Sequence, residues 1–369
     1  MGDRKTVGGN IRIDNVELED FCSAVFTQLG LSETDASTAA SVLVAADVRG
    51  IPSHGVGRLW RYVNGLTTGL MLPDAKPEVV NETQAGLVVN AHGAMGAPVS
   101  VWTMNRVIEK ARKNGAAFAS VKDSNHFGIA GYYAMMAIRE NMLGIAMTNT
   151  AALGVPTFGR QVMYGTNPLA FAAPAQAEKA FVLDMSTTVV TRGKIEVYNR
   201  LDKELPPGWA VNRDGNTAKD AAPLLDDMFH RIGGGILPLG GEGEFYGGHK
   251  GYGLAVMVDI LCAVLGGASF GAALRDTETS SARVSHFLGA IRVDSFRDPA
   301  EFRRDMDTML SDLRACPPAA GAERVYFAGQ KEFEHEAETA KTGVPVLRKT
   351  YEQLSAIGRD HGVTVPEPI

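Results

Sequence analysis

Apolar positions change their spacing twice along this chain. Near the start they recur at helical intervals. Residues 15–30 and 33–50 read as two helices, the second capped by Ser32 and carrying Ala40, Val44 and Ala45 on one face. Gly50-Ile51-Pro52-Ser53-His54-Gly55 breaks the pattern. A third helix is expected over 55–68, and Met71-Leu72-Pro73 with Pro77 reads as a linker. From residue 86 short apolar runs take over, and strands are expected at 87–90, 116–121, 144–148, 169–173, 181–184 and 289–293. Among them, 98–114 is amphipathic, with Val101, Met104, Val107, Ile108 and Ala111 on one face and Gly115 as its stop. A further helix is expected at 130–141.

Residues 199–249 are rich in Gly, Pro and Asp and read as long ordered loops around a short helix at 220–231. A helix of glycine and apolar residues follows at 251–265. Helical spacing returns at 299–314, where Phe302, Met306, Met309, Leu310 and Leu313 share a face, and again at 349–361. A short strand is expected at 324–327. Helical ends around a sheet-rich middle predict an α/β protein of mixed, α+β character. Residues 1–82 and 297–369 would build one helical domain beside a central α/β domain at 83–296.

Composition narrows the class. The chain has 369 residues, 45% hydrophobic and 21% charged, which suits a soluble globular protein of two domains. Net charge is −6 with a pI near 5.8, and no basic stripe or polybasic run marks a nucleic-acid or acidic-membrane partner. Cys22, Cys262 and Cys316 are an odd number without CxxC spacing, which fits a reducing compartment. Residues 1–10 lack the apolar core of a signal peptide. The apolar stretch 253–267 contains Asp259 and falls short of the ~20 residues a membrane helix needs. A cytoplasmic protein is expected. The histidines are scattered and no HExxH occurs, so no metal is expected.

Candidate chemistry gathers where strands are expected to end. Ser-Asn-His-Phe-Gly at 124–128 follows the apolar run 116–121 and puts His126 beside a glycine that lets the backbone approach a ligand. His54 sits at a loop-to-helix junction. Arg58 and Tyr62 are four residues apart, so both can face one side of the third helix. A guanidinium there could grip a carboxylate in bidentate fashion. Neither GxGxxG nor GxxxxGK[ST] occurs anywhere. YGTNPLAF (164–171), LDMSTT (183–188) and GGHKGYG (247–253) offer hydroxyls, a carboxylate and a lysine at a helix start, which suits an anion. Taken singly, each segment reads equally well as a turn, a cap or a loop.

Together, GIPSHGVGR, SNHFGIAGYY, GTNPLAFAAP, LDMSTT, RGKI, GWAV, LPLGG and HKGYGLA stand in the order seen in the type-2 malate/L-lactate dehydrogenase family. The chain resembles that family over residues 12–365. The family includes malate, lactate, sulfolactate and ureidoglycolate dehydrogenases, a diketogulonate reductase and a Δ1-piperideine-2-carboxylate reductase. The resemblance implies a non-Rossmann NAD(P)-binding domain with a mixed, largely antiparallel sheet, plus a helical domain from both termini. It implies a homodimer with sites near the subunit interface. The implied reaction moves a hydride between NAD or NADP and C2 of a small 2-hydroxy or 2-oxo acid. A cyclic 2-imino acid reductase, or a ureidoglycolate or sugar-acid dehydrogenase, is the alternative.

Carried over by residue, the resemblance makes His54 and His126 the acid/base candidates. Their position leaves the choice open, with His126 favoured because it follows a buried strand. Ser53, Arg58 and Tyr62 correspond to substrate-pocket positions, with Asn167 beside them. Thr148, Thr150, Asp184, Met185, Ser186, His249, Lys250, Gly329 and Gln330 correspond to cofactor-contacting regions. Two places depart from the family pattern. Phe158-Gly159-Arg160 stands where a Gly-Gly pair is common, and His249 where an aromatic or small residue is common. Both leave NAD against NADP open.

Overall fold

The computed structural model describes residues 10–275, 277 and 281–369. The polar stretch read as lacking a signal peptide lies outside them but for Asn10. The chain opens with β1 (Asn10–Ile13), α1 (Asn15–Gln28) and α2 (Glu33–Val48). Ser32 caps α2 as expected, its hydroxyl accepting the Asp35 N–H. The third helix is split into a 3₁₀ turn, Val56–Arg58, and α3 (Leu59–Thr67). Then come β2 (Glu78–Glu82), β3 (Gly86–Asn90), α4 (Gly96–Asn114), β4 (Ala116–Ser124), α5 (Ala130–Ile138) and β5 (Met142–Thr148). After them follow β6 (Leu169–Ala173), β7 (Phe181–Met185), α6 (Arg192–Arg200), β8 (Ala210–Val211), α7 (Ala221–His230) and β9 (Gly235–Ile236). The rest is α8 (Gly248–Asp259), β10 (Val284–Arg292), α9 (Pro299–Ala315), α10 (Gln330–Thr342), β11 (Val344–Leu347) and α11 (Arg348–His361).

Seven strands form one sheet in the order β2-β3-β4-β10-β5-β6-β7. Only β3 and β4 pair in parallel; every other neighbour is antiparallel. The mixed, largely antiparallel sheet is therefore as expected. One consequence positions the site. Strands β4, β5 and β7 run one way, and β10 and β6 the other. The C-terminal ends of the first three and the starts of the other two thus meet at one end of the sheet.

Strand alternation separates two cores. Ala146, Leu288 and Ala290 face α4 and α5, in a cluster with Met104, Val107, Tyr133 and Ala137. Their neighbours Ile145, Met147 and Phe287 face the other way, onto Val258 and Cys262 of the α8 segment. Helix α9 covers Ala173 with Met306 and Leu310. A further cluster joins α1, α2 and α3 to both chain ends, through Ile13, Leu43, Tyr62, Val344 and Leu354. There β1 pairs antiparallel with β11. Among the described residues, no helix is long and apolar enough to cross a membrane.

Two expectations are corrected, and two helices stand where none was expected. Residues 324–327 are not a strand. Arg324 instead donates to the Tyr326 hydroxyl at 2.9 Å and pairs with Glu334 of α10. Helix α10 carries no apolar stripe to announce it, since it buries only Gln330 and Thr339. Likewise α6 buries only Ile195. The glycine-rich helix starts three residues early, at Gly248, and ends in a π turn over Ile260–Val264.

Helix α5 approaches β5 most closely at Gly144, where an added Cβ would overlap the Ala134 carbonyl. Gly144→Ala should therefore destabilise the fold by ~1–3 kcal/mol through overpacking. Urea unfolding reads this; an unchanged midpoint would contradict the close approach.

Candidate active site

The loop after α2 is built on a buried carboxylate. Asp47, 5% exposed in the last turn of α2, accepts the Val56 N–H at 2.6 Å. This bond ties the 3₁₀ turn to the helix. Gly55 must be glycine, because a Cβ would overlap that carboxylate. Within the loop, Arg58 Nε donates to the Ser53 carbonyl at 2.5 Å, and Ser53 Oγ lies 3.0 Å from His54 Nδ1.

The second half of the cluster comes from the end of β4. Asn125 is 2% exposed, and its amide donates to the Gly93 and Ala94 carbonyls at 2.8 and 3.0 Å. This fixes the turn that carries His126. The His126 ring stacks on His54 with centroids 5.5 Å apart and planes 20° apart. Its Nδ1 lies 2.6 Å from the Tyr62 hydroxyl and accepts the Gly128 N–H at 3.3 Å. Ser53, His54, Arg58, Tyr62 and His126 thus form one group.

Its electrostatics follow from burial and from positive neighbours. Burial, with His54, Arg58, Arg61 and His286 nearby, holds His126 well below the usual imidazole range. Burial and Arg58 bring His54 down to about 4. Burial pushes the Tyr62 phenol up to about 12, against the pull of Arg58 and Arg61. Both imidazoles are neutral at pH 7.

Across the α5 start lies Asp184, at the end of β7, accepting the Gly131 N–H at 2.7 Å. Its carboxylate opens to water in a cleft yet is ringed by protein. That crowding, with Glu332 nearby, raises it to about 6 against the Gly131 bond and Arg49. The cleft, of about 260 Å³, is lined by Arg49, Gly131, Asp184, Gly329, Lys331 and Glu332 among others. Gly329 has φ 92°, and a Cβ there would strike Val182 of β7. Beside it Gln330 is 7% exposed; its amide nitrogen donates to Glu334, while Oε1 is buried without a partner.

The remaining expected residues follow the end of the sheet. Thr150 receives its order from Asn167, whose Oδ1 accepts the Thr150 N–H at 3.1 Å. The Asn167 amide nitrogen donates to Ala255 of α8 at 2.9 Å, and the residue is fully buried. The structure therefore places Asn167 as a clamp behind Thr150 rather than in the substrate pocket. Thr148 is buried too, with Oγ1 2.8 Å from His286 Nδ1. Met185 is half-buried, and Ser186 Oγ donates to the Thr166 carbonyl at 3.0 Å. Leu239 links this segment to α8: its N–H donates to the Thr187 carbonyl at 2.9 Å, and Gly251 packs on its carbonyl. His249 and Lys250 are exposed in the first turn of α8, which no side chain caps. Arg160 donates to the Arg213 carbonyl at 3.3 Å.

Sequence reasoning missed Asp47, Arg49, Asn125 and His286. Asp47 and Arg49 flank the Ser-His-Gly loop as charges in an otherwise apolar helix end. His286 is an imidazole inside an apolar strand. Both are detectable signals, because a buried charge or imidazole needs partners.

Two neutral imidazoles, one bonded to a buried phenol and both near Arg58, form an acid–base site in a chain without a Rossmann fingerprint. The chain matches the family model for malate/L-lactate dehydrogenase over residues 13–355, and it belongs to that family. It is 41% identical over 353 residues, 96% of either chain, to a malate dehydrogenase of Pyrococcus abyssi. It is 35% identical over 335 residues to a malate/(S)-sulfolactate dehydrogenase of Methanothermus fervidus, covering 90% of this chain and 93% of that one. The crystal structure of malate dehydrogenase from Entamoeba histolytica superposes with a TM-score of 0.93 at 32% identity, covering 97% of this chain and all of that one.

Asp47 carries a pH dependence. Burial lifts its folded pKa from 3.8 to about 7. Between those values the folded state keeps a proton that the unfolded chain has released. Its contribution to stability is therefore lost as pH rises from about 4 to about 7, on the order of a few kcal/mol. Asp47→Asn cannot ionise and keeps an oxygen for Val56. Its urea midpoint should fall less over that window than the parent's, whereas parallel curves would show that Asp47 does not titrate there.

Proposed function

We propose that this protein is an NAD- or NADP-dependent dehydrogenase acting between C2 of a small 2-hydroxy acid, malate first among them, and the matching 2-oxo acid. The observation that carries the reading is His126, bonded to Tyr62 and stacked on His54, with Arg58 beside both. The names of the most similar relatives support malate as the first substrate to try.

The residues fit a dinucleotide. Gln330 carries a buried acceptor oxygen without a partner, and the Gly329 turn before it, at φ 92°, lines the cleft beside Asp184. At the other end, Lys250 and the uncapped first turn of α8 suit a pyrophosphate. Asp184, Met185, Ser186, Thr150, His249, Lys250, Gly329 and Gln330 would hold the cofactor between these ends, with Thr148 and Asn167 bracing them from behind. When bound, the nicotinamide supplies the hydride in reduction and receives it in oxidation.

The chain's own groups do the rest. Arg58 grips the C1 carboxylate and sets which face of C2 is presented. His126 directs Nε2–H at the developing alkoxide. Stacked on it, His54 shields the ring from water and, with Ser53, closes the substrate side. Keeping both imidazoles neutral avoids adding positive charge beside Arg58 and Arg61.

A second copy of the chain belongs to this reading. Val256, Ile260, Val264 and Leu265 run along the α8 segment and are 36–61% exposed, an apolar stripe that suits a homodimer contact. Cys22, Cys262 and Cys316 are all free, which supports a cytoplasmic, reducing setting.

Oxidation of NADH and NADPH against a panel of 2-oxo acids and cyclic imines tests the reaction, with oxaloacetate expected to give turnover. His126→Ala should lose ~10²–10⁴-fold in kcat with cofactor affinity unchanged. A variant as fast as the parent would overturn the assignment. Ile260→Glu should halve the mass seen in sedimentation equilibrium; an unchanged mass would remove the α8 stripe from the interface.

A further inference from the structure

The two nitrogens of His126 are not equivalent. Nδ1 accepts the Gly128 N–H at 3.3 Å and lies 2.6 Å from the Tyr62 hydroxyl. A backbone N–H can only donate, so Nδ1 is bare and the neutral ring carries its proton on Nε2. If that proton left alone, the ring would become an imidazolate, far too basic to form near neutral pH. A resting imidazolium is no better. The ring is half-buried, it faces His54, Arg58, Arg61 and His286, and its Nδ1 would present a proton to the Gly128 N–H. A second proton must therefore reach Nδ1 as the first leaves Nε2.

Tyr62 is placed to provide it. It is 3% exposed, its hydroxyl is the group on Nδ1, and Arg58 and Arg61 face its oxygen with positive charge. Tyr133 is the other titratable group beside it. Resting on the dehydrogenase reading above, we propose that Tyr62 is a proton-relay residue: in reduction its hydroxyl proton passes to His126 Nδ1 while Nε2–H passes to the substrate oxygen. The Tyr62 O–H and His126 Nε2–H bonds break, and His126 Nδ1–H and the product O–H form. The ring stays neutral, and the negative charge moves from the substrate oxygen to the tyrosinate between the two arginines. After product leaves, a water proton enters at Nε2 and Nδ1–H returns to Tyr62. Oxidation runs the same path backwards.

Tyr62→Phe removes the second proton and keeps the ring packing. In single turnover the variant should reduce a 2-oxo acid ~10²-fold more slowly at pH 7. Its rate should climb as pH falls, because only a solvent-protonated imidazolium can then donate. The parent rate should stay flat over that range. A loss by the same factor at every pH would mark Tyr62 as structural and overturn the relay. In mixed light and heavy water, the parent single-turnover rate should curve downward with deuterium fraction, as two protons in flight require; a straight line would overturn the relay even if the variant fails to fold. Nitrogen-15 NMR of His126 in the free protein gives a readout independent of activity. The expected tautomer is Nε2–H, and Nδ1–H would defeat the proposal. A parent that turns over no 2-oxo acid with either cofactor defeats the dehydrogenase reading itself, whereas turnover with a pH-flat Tyr62→Phe defeats only the relay.

Discussion

A buried, uncharged imidazole holds the working end of the sheet together. His286 sits near the start of β10, between β4 and β5, with Nε2 2.8 Å from Ser124 Oγ and Nδ1 2.8 Å from Thr148 Oγ1. Burial brings it down to about 3, so it is neutral at pH 7. The Thr148 hydroxyl donates to a backbone carbonyl, that of Ser285 or Asn149, so it accepts from Nδ1–H and leaves Nε2 to accept from Ser124. One side chain thereby fixes the two strand ends from which His126 and Thr150 depart. Its ring also stacks on Phe127 at 4.4 Å with planes 8° apart, next door to His126. Losing such a residue would leave the buried Ser124 hydroxyl without its partner and Thr148 with its backbone bond alone, at ~1–3 kcal/mol for the orphaned group.

From that fixed end the chemistry separates in space. On one side burial keeps His54 and His126 neutral, helped by Arg58 near both and Arg61 near His126. On the other, Asp184 and Gly329 border a cleft shared with Arg49, Lys331 and Glu332. The hinge between the two is the α5 start, where Gly131 binds Asp184 and lies five residues from His126. Asp47 serves the pocket from behind, since the turn carrying Arg58 hangs on its bond to Val56.

Much of this was legible in the residues. Strands that alternate or run apolar were readable through their period, and the sheet-forming segments at 116–121, 144–148, 169–173 and 181–184 all pair as strands. The grouping of His54 with His126 was reachable only through the family resemblance, because residues 72 apart carry no local sign of contact. What stayed hidden lacked an apolar signature. Helices α6 and α10 bury almost nothing hydrophobic, and β1 and β11 are short strands that exist because they pair with each other. Asn167 was misplaced for a related reason: an amide at a turn looks alike whether it faces a ligand or, as here, the backbone of a helix behind it.

The central claim is that this end of the sheet sets a 2-oxo acid for direct hydride transfer. The most direct measurement uses NADH carrying deuterium at the transferable C4 position, with oxaloacetate as acceptor, and locates the label in the product by NMR. The account predicts deuterium on C2 of malate, on one face only. Malate with solvent hydrogen at C2, or with label on both faces, would contradict it.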